Sequence, residues 1–400
     1  MSEKTKIVIL SYYMYPCHEP VLEYLFAKEL GKKYDIVFLF NGGVALSRTL
    51  KWHSSEVLLG WNVRHAEKIS ITLKLWMNIC KWYRLFNLLV SRKVKTIWVR
   101  DQPVTAFFIT LLKTIFRFNV YFQYTAPLGE VLVAYFKDYK SIYNIRHILH
   151  GWIHNLFLAN IIMKADIIFP ITEYHKNELE KIAGKRKYIA LTMGIDESWI
   201  QSERQKVPYL ENIKKDYDII TYFGTMNFSR KPIFILKIFS EVKKKFRNCK
   251  LLLMGKTSYL WEENELKSAC NQLGIDKDVI FSGQLSREAV RDHLAYCTVS
   301  ISAIPPEKYY IISSPTKVYE SLGNGVPVVA NNEIFEQKKI LEESGGGIAV
   351  EYDISLLSDA VLNILNDKKL HEEMAEKGAK YILENYTYKV MAKKIGSNFE

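Results

Sequence analysis

Lys317 and Glu320 stand three residues apart in the segment SSPTKVYESLGNGVPVVANN, Ser313–Asn332, so on a helix they share one face. A lysine near a helix start adds a point charge for a diphosphate, and a carboxylate one turn deeper can accept both hydroxyls of a ribose. Ser314 reads as the N-cap, and Pro315 suits the first turn, where its missing N–H is not needed. Thr316 opens the helix, whose free N–H groups and positive dipole end favour a phosphate. Gly323-Asn324-Gly325 ends the helix and Val-Pro-Val-Val begins a strand. A capped surface helix with an internal Lys–Glu pair would show the same spacing.

Such a helix needs a sheet edge to open from, and the chain supplies strands throughout. In the first half the apolar runs Lys6–Leu10, Asp35–Phe40, Thr96–Val99, Val120–Tyr124 and Asp166–Pro170 predict buried parallel strands. Helix-length segments lie between them, among them Val21–Gly31, Val104–Phe118 and Tyr174–Ala183. In the second half the predicted strands are Asp218–Phe223, Lys250–Met254, Val279–Phe281, Val299–Ile301 and Val326–Ala330. The helices between and after them run near Ile233–Phe246, Trp261–Leu273, Arg287–Ala295, Thr316–Leu322 and Ser355–Leu365. This alternation specifies an α/β class of two Rossmann-like, doubly wound domains. A length of 400 residues fits two cores better than one. The polar stretch ESWIQSERQKVPYLENIKKD marks the join. The expected division is 1–205, 206–385 and a closing helix, 386–400.

Charge divides unevenly between the halves. Residues 1–200 hold 27 Lys and Arg against 16 Asp and Glu, whereas residues 201–400 hold 28 against 27. The excess in the first half points to an anionic partner there. The stretch from Trp76 to Arg117 carries much of it, with Lys81, Arg84, Arg92, Lys93 and Lys95 interleaved with Trp76 and Trp82 and opposed only by Asp101. Lys and Arg with Trp at a helix edge suit an anionic membrane surface; a core helix with a solvated basic face is the plainer reading. No nucleic-acid-binding motif accompanies the charge. Nothing is long or apolar enough to span a bilayer, and MSEKTKIVIL runs straight into a strand, so a cytoplasmic protein is expected. Cys17, Cys80, Cys249, Cys270 and Cys297 are scattered and read as reduced thiols. His147, His150 and His154 fall at helical spacing without a carboxylate or cysteine at a ligand offset, so they read as one helix face and no metal is expected.

Several segments in order resemble the family-4 (GT4) glycosyltransferases of the GT-B fold, in which two Rossmann-like domains face a cleft. Lys317, Glu320, Gly325, Pro327 and Val328 match that family's K-x-x-E helix and the Gly-x-Pro-Val-Val turn after it. Tyr222-Phe223-Gly224-Thr225 with Arg230-Lys231 resembles its strand, glycine and basic loop at the donor diphosphate. LLLMG ending at Gly255 and DVIFSG ending in Ser282-Gly283 resemble the next two strand–glycine turns. ADIIFPIT and MGID (Met193–Asp196) resemble the end of the acceptor domain, and Tyr388–Ile395 resembles the helix that crosses back.

The resemblance implies a retaining, metal-independent sugar transfer from a nucleotide sugar to a glycan or lipid-linked acceptor, on the inner face of a membrane. Arg230, Lys317 and Glu320 would carry it. Gly224, Thr225, Lys231, Gly255, Ser282, Gly283, Ser314, Pro315 and Thr316 would bind the donor. No cofactor is implied beyond the donor as substrate. Ile312 stands eight positions before Glu320, where many members carry an acid, and Tyr13–Pro20 replaces their paired glycines. His18, Glu19, Asp101 and Tyr124 are the acceptor-side candidates, on loops at strand ends. A non-catalytic transferase-like subunit and a nucleotide-sugar epimerase are the alternatives. A dehydrogenase is disfavoured because no G-x-G-x-x-G follows either first strand.

Overall fold

The alternating pattern resolves into two mainly parallel sheets in the computed structural model, which describes residues 4–43, 49–62, 70–91, 94–127, 129–131 and 145–399. The first sheet contains β1 (Lys6–Leu10), β2 (Asp35–Gly43), β3 (Thr49–Trp52), β4 (Ser55–Asn62), β5 (Val94–Arg100), β6 (Asn119–Tyr124) and β7 (Ile167–Pro170), in the order β3-β4-β2-β1-β5-β6-β7. The second contains β8 (Asp218–Phe223), β9 (Cys249–Met254), β10 (Val279–Gly283), β11 (Val299–Ser302), β12 (Val328–Asn331) and β13 (Gly347–Val350), in the order β10-β9-β8-β11-β12-β13. Among the described residues only β3 runs antiparallel to its neighbour, as a hairpin turned at His53, whose φ is 51°. β3, β4 and β13 are strands that the sequence reading omitted. β3 and β13 have four residues each, too few to show a period.

Each sheet is covered on both faces. Alternate residues of β8 and β9 divide between two cores, with Ile220, Tyr222, Leu251 and Leu253 on one side and Ile219, Phe223, Leu252 and Met254 on the other. The first side packs under the helices Pro232–Lys245 and Ile354–Asn366, the second against the helix Pro208–Lys214. In the first sheet, Val8, Val37, Ile97 and Val120 face the helices Ile71–Ser91, Pro103–Phe116 and Ile145–Lys164. The opposite face is aromatic: Trp98 packs at 4.2 Å from Phe169 and 4.7 Å from Phe26, centroid to centroid. All five cysteines are free.

The chain divides into Met1–Thr192 with Tyr388–Glu400, and Met193–Thr387. The segment from Met193 to residue 205 therefore groups with the second unit, not with the first as the sequence reading has it. Local bonds explain this. Met193 N–H donates to Ser314 Oγ at 3.0 Å, and Ile195 forms a bridge with Thr387. Asp196, the last residue of the MGID turn, caps the helix Glu197–Gln201 instead of ending the first domain. Arg291 then ties that helix down by donating to the Trp199 carbonyl at 2.9 Å.

The final helix, Tyr388–Gly396, lies on the first unit. Tyr388 stacks on Tyr24 at 6.0 Å, and the Tyr34 hydroxyl donates to the Gly396 carbonyl at 2.6 Å. Phe399 completes the aromatic face of the sheet, 5.6 Å from Tyr121 and 6.0 Å from Trp98. Phe399→Ala should destabilise the first unit by about 3–4 kcal/mol, the usual range for emptying an aromatic core site. Urea unfolding followed by tryptophan fluorescence checks this, and an unchanged midpoint would contradict it.

Candidate nucleotide-binding site

Three adjacent strands of the second sheet end on glycines in conformations that a side chain rarely adopts. Gly224 after β8, Gly255 after β9 and Gly283 at the end of β10 have φ of 119°, 149° and 71°. Gly224 N–H donates to the Met254 carbonyl at 2.9 Å, and Gly255 N–H donates to the Gly283 carbonyl at 2.9 Å, so each turn is pinned to the next strand. A Cβ on Gly255 would lie 2.0 Å from the Gly224 carbonyl oxygen. The turns interlock because no side chain stands between them. Thr225 follows, its carbonyl accepting the Tyr222 hydroxyl at 3.2 Å. Ser282 Oγ donates back to the Leu253 carbonyl at 3.2 Å, which ties β10 to β9.

Lys317 lies on the first turn of the helix Thr316–Gly323 and reaches over these turns. Its ammonium is 3.8 Å from the Tyr222 ring centroid, a cation–π contact worth on the order of 2 kcal/mol when desolvated. A Cβ on Gly224 would lie 3.9 Å from Lys317 Nζ, so the open space at that glycine is space beside the amine. Burial holds the Lys317 amine well below its ordinary pKa, the positive field of Arg230 adds to this, and Glu320 opposes it. An anion placed here would pull that pKa back up. Burial likewise pushes the Glu320 carboxyl up, against the pull of Arg287 and Lys317.

Glu320 Oε1 lies 3.4 Å from Arg287 Nε, and the Arg287 guanidinium packs 4.9 Å from the Trp199 ring. Arg287 escaped the sequence reading, although a signal existed: it is the first residue of a helix capped by Ser286. A cavity of about 490 Å³ runs from Gly224, Thr225 and Gly255 past Lys256–Ser258 to Arg287 and Glu320. One end is backbone and hydroxyl, the other a carboxylate beside a guanidinium. That polarity suits a nucleotide with its phosphates toward the glycines.

Arg230 and Lys231 take different positions from one another. The Arg230 guanidinium stacks 4.0 Å from the Tyr310 ring. Lys231 adopts a left-handed conformation, φ 48°, just before Pro232 opens the next helix, and its amine pairs with Glu307 at 3.4 Å. The loop holding Glu307 and Tyr310 thus orients both basic residues. Ile312 closes the short helix Lys308–Ile311 in that loop. Ser314 is not the N-cap that its type predicts. Pro315 occupies the cap position without a side-chain bond, and Thr316 is the first helical residue. Ser314 is buried instead, with Oγ accepting the Met193 N–H and lying 2.7 Å from the Tyr319 hydroxyl, which donates to Glu336 at 3.0 Å. Burial in a continuous hydrogen-bonded chain outcompetes a solvent-facing cap.

In the first unit, Glu19 and Asp101 are buried and engaged. Glu19 accepts from Arg100 at 2.7 Å and from the Leu22 N–H at 2.8 Å, which fastens the start of the helix Val21–Leu30. Asp101, at φ 51°, accepts the Thr125 N–H at 2.7 Å and the Thr125 hydroxyl. Burial pushes the Asp101 carboxyl up and Arg100 pulls it down. Arg100, absent from the sequence candidates, is therefore the hub of this cluster. Its Nη1 is buried without a hydrogen-bond partner among the described residues. Tyr124 is buried against the His175 ring at 4.7 Å, and desolvation holds the His175 pKa down at about 4. His18 is exposed. His154 is buried, its Nε2 3.4 Å from the Asp101 carbonyl, whereas the side chains of His147 and His150 lie outside the described residues.

Comparison with known proteins finds similarity in the second unit. Residues 204–381 match the model of the family described as glycosyl transferases group 1. The poly(glycerol-phosphate) alpha-glucosyltransferase of Bacillus subtilis (strain 168) is 22% identical over 216 residues, 54% of this chain and 30% of that protein. The chain thus spans less than a third of the length of the curated relative it matches. Sucrose-phosphate synthase from Thermosynechococcus elongatus superposes with a TM-score of 0.73 over 99% of this chain and 98% of its own, at 14% identity. The E. coli structure described as trehalose-6-phosphate bound with UDP-2-fluoro glucose superposes with a TM-score of 0.71 over 99% of each chain, at 12% identity. The fold is therefore GT-B.

Two outcomes are expected at this site. Binding of a nucleoside diphosphate should take up a proton between the depressed pKa of Lys317 and its raised value in the complex, so affinity falls as pH rises through that window. Calorimetry in buffers of different ionisation enthalpy measures the uptake, which should vanish in Lys317→Met. Gly255→Ala should abolish nucleoside diphosphate binding and cost about 3 kcal/mol or more, read as lost affinity together with a lowered Tm.

Proposed function

From the match of residues 204–381 to the glycosyl transferases group 1 family, we propose that the protein is a glycosyltransferase that takes its sugar from a nucleotide-sugar donor. The observation that carries this is Lys317, a desolvated amine beside the open backbone of Gly224, with Glu320 one turn away at the other end of the same cavity. The diphosphate occupies the glycine turns, where Lys317 and Arg230 meet its charge. The ribose hydroxyls donate to Glu320, and Arg287 opposes the upward shift that burial gives its carboxyl. Because the UDP-sugar analogue described above sits in a protein of the same fold, a UDP-sugar is the first donor to test.

The chemistry follows from where charge appears. The bond from the anomeric carbon to the phosphate oxygen breaks, and negative charge grows on the leaving diphosphate. Fixed cations at Lys317 and Arg230 stabilise that charge, and the burial of Lys317 strengthens its share. The acceptor hydroxyl attacks from the same face, its oxygen bonds to the anomeric carbon, and its proton passes to the leaving phosphate oxygen. Configuration is retained, and the two basic side chains do the work a metal would otherwise do. The acceptor is a glycan or a lipid-linked chain at the inner face of a membrane. This accords with the excess positive charge of residues 1–200.

A thermal-shift panel of nucleotide sugars, followed by donor hydrolysis without acceptor, tests the reading. One nucleotide sugar should raise the Tm, and hydrolysis of that donor should fall about 10²-fold or more in Glu320→Ala. Stabilisation by a donor with no turnover would assign the chain to a non-catalytic subunit. No stabilisation by any nucleotide sugar would overturn the proposal.

A further inference from the structure

The outer surface of the first unit carries apolar side chains where a doubly wound domain ordinarily carries charge. The helix Ile71–Ser91 buries Leu85, Leu88 and Leu89 against the sheet. Its other side presents Trp76, Ile79, Tyr83, Phe86 and Val90, all exposed and stepping by three and four residues along one stripe. The neighbouring helix Pro103–Phe116 repeats the arrangement, with Ala106 and Ile109 inward and Phe108, Leu111 and Ile115 outward. The helix Ile145–Lys164 does so again, with Ile161 and Ile162 inward and Leu149, Trp152 and Leu156 outward. Trp152 is 72% exposed, Ile115 70% and Tyr83 67%.

These stripes adjoin. Phe86 meets Phe116 edge-on at 5.9 Å, Trp82 meets Phe108 at 6.5 Å, and Phe107 meets Phe157 at 5.1 Å. An apolar groove of about 690 Å³ opens between the first two helices, with Tyr83, Phe86, Phe108 and Leu111 in its walls. Surfaces of this extent on soluble domains mark a binding face.

Charge indicates what covers it. The three helices contain not one Asp or Glu, whereas Lys74, Arg84, Lys113 and Lys164 are distributed among them, Lys113 being paired with Asp166 just past the third helix. Lys74 and Lys164 are exposed, and the Lys164 amine lies 5.2 Å over the Phe107 ring, so its stem follows the apolar surface while its head stays free. Lys81 does not contribute: it is buried, and desolvation lowers its pKa to about 8. Arg92 and Lys93 lie outside the described residues. A two-fold contact between copies of this chain would set two predominantly basic faces against each other. An anionic lipid surface instead offers hydrocarbon to the stripes and phosphate to Lys74 and Lys164. No described helix is long and apolar enough to cross a membrane, which agrees with helices lying in the surface plane.

We propose that the three-helix face formed by Ile71–Ser91, Pro103–Phe116 and Ile145–Lys164 docks on an anionic lipid bilayer, with Trp76, Trp152 and the groove at the acyl boundary. This rests on the transferase reading only for the lipid-linked acceptor, and lipid binding is measured separately from nucleotide binding. The full chain is sedimented with vesicles of phosphatidylcholine alone and of phosphatidylcholine with phosphatidylglycerol. It should pellet with the anionic vesicles, less with the neutral ones, and less again in high salt. Ile79→Glu with Ile115→Glu should weaken vesicle binding roughly ten-fold or more while leaving the Tm and nucleotide affinity unchanged. Quenching of tryptophan fluorescence by brominated lipid in the unmodified chain gives an independent readout that does not depend on the variant folding. Three results would overturn the proposal: no pelleting with anionic vesicles, equal pelleting of the folded double variant, or a concentration-dependent dimer that the double variant dissolves while vesicles bind neither form.

Discussion

The approach of the Gly255 backbone to the Gly224 carbonyl sets the dimensions of everything at the nucleotide end of the second unit. With a Cβ position only 2.0 Å from that oxygen, the two strand ends meet as bare backbone. The hydrogen bonds from Gly224 to Met254 and from Gly255 to Gly283 then lock three strand termini into one rigid rim. Tyr222, the penultimate residue of β8, is placed by that rim, its ring buried in the core and its hydroxyl held by the Thr225 carbonyl. On that ring rests the Lys317 ammonium. A loss of contact at the glycines would move the aromatic platform and, with it, the charge.

Two elements set the position of Lys317 from the other side. The buried chain Ser314–Tyr319–Glu336 fastens the start of its helix to the core, and Gly323 at the far end packs so closely that a Cβ would lie 2.6 Å from Ile200 and 2.8 Å from Ile195. The segment from Met193 to residue 205 is thus a structural part of the nucleotide site, which explains why it groups with the second unit. Trp199 and Arg287 extend the same support to Glu320. In the first unit, Arg100 has the comparable position, holding Glu19 and Asp101 at the ends of neighbouring elements.

Much of this was legible in residue order. Thr316–Gly323 ends where Asn324-Gly325 demands, because Gly325 takes a φ of 73° that a side chain would resist. Gly224, Gly255 and Gly283 were readable as strand-end turns because an apolar run stopped at each. Arg287 was not readable as a partner of Glu320. The two are far apart in the chain, and only the side-by-side placement of β10 and β9 brings its helix to the cavity. Ser314 was misread because a serine before Pro-Thr has the composition of a cap, and composition does not reveal that a tyrosine five residues on will bury beside it.

By itself the sequence determined the repeating strand–helix pattern, the two sheets and the helix that carries Lys317 and Glu320, because periodicity, glycine and proline act over a few residues. It also determined that three helices of the first half lack acids altogether. Only the tertiary structure decided that their apolar stripes are contiguous, that Lys81 turns inward while Lys74 and Lys164 do not, and that Lys317 stands desolvated over Tyr222. Those properties depend on which distant element fills the space beside each side chain, and strand order, unlike local spacing, is set by long-range burial.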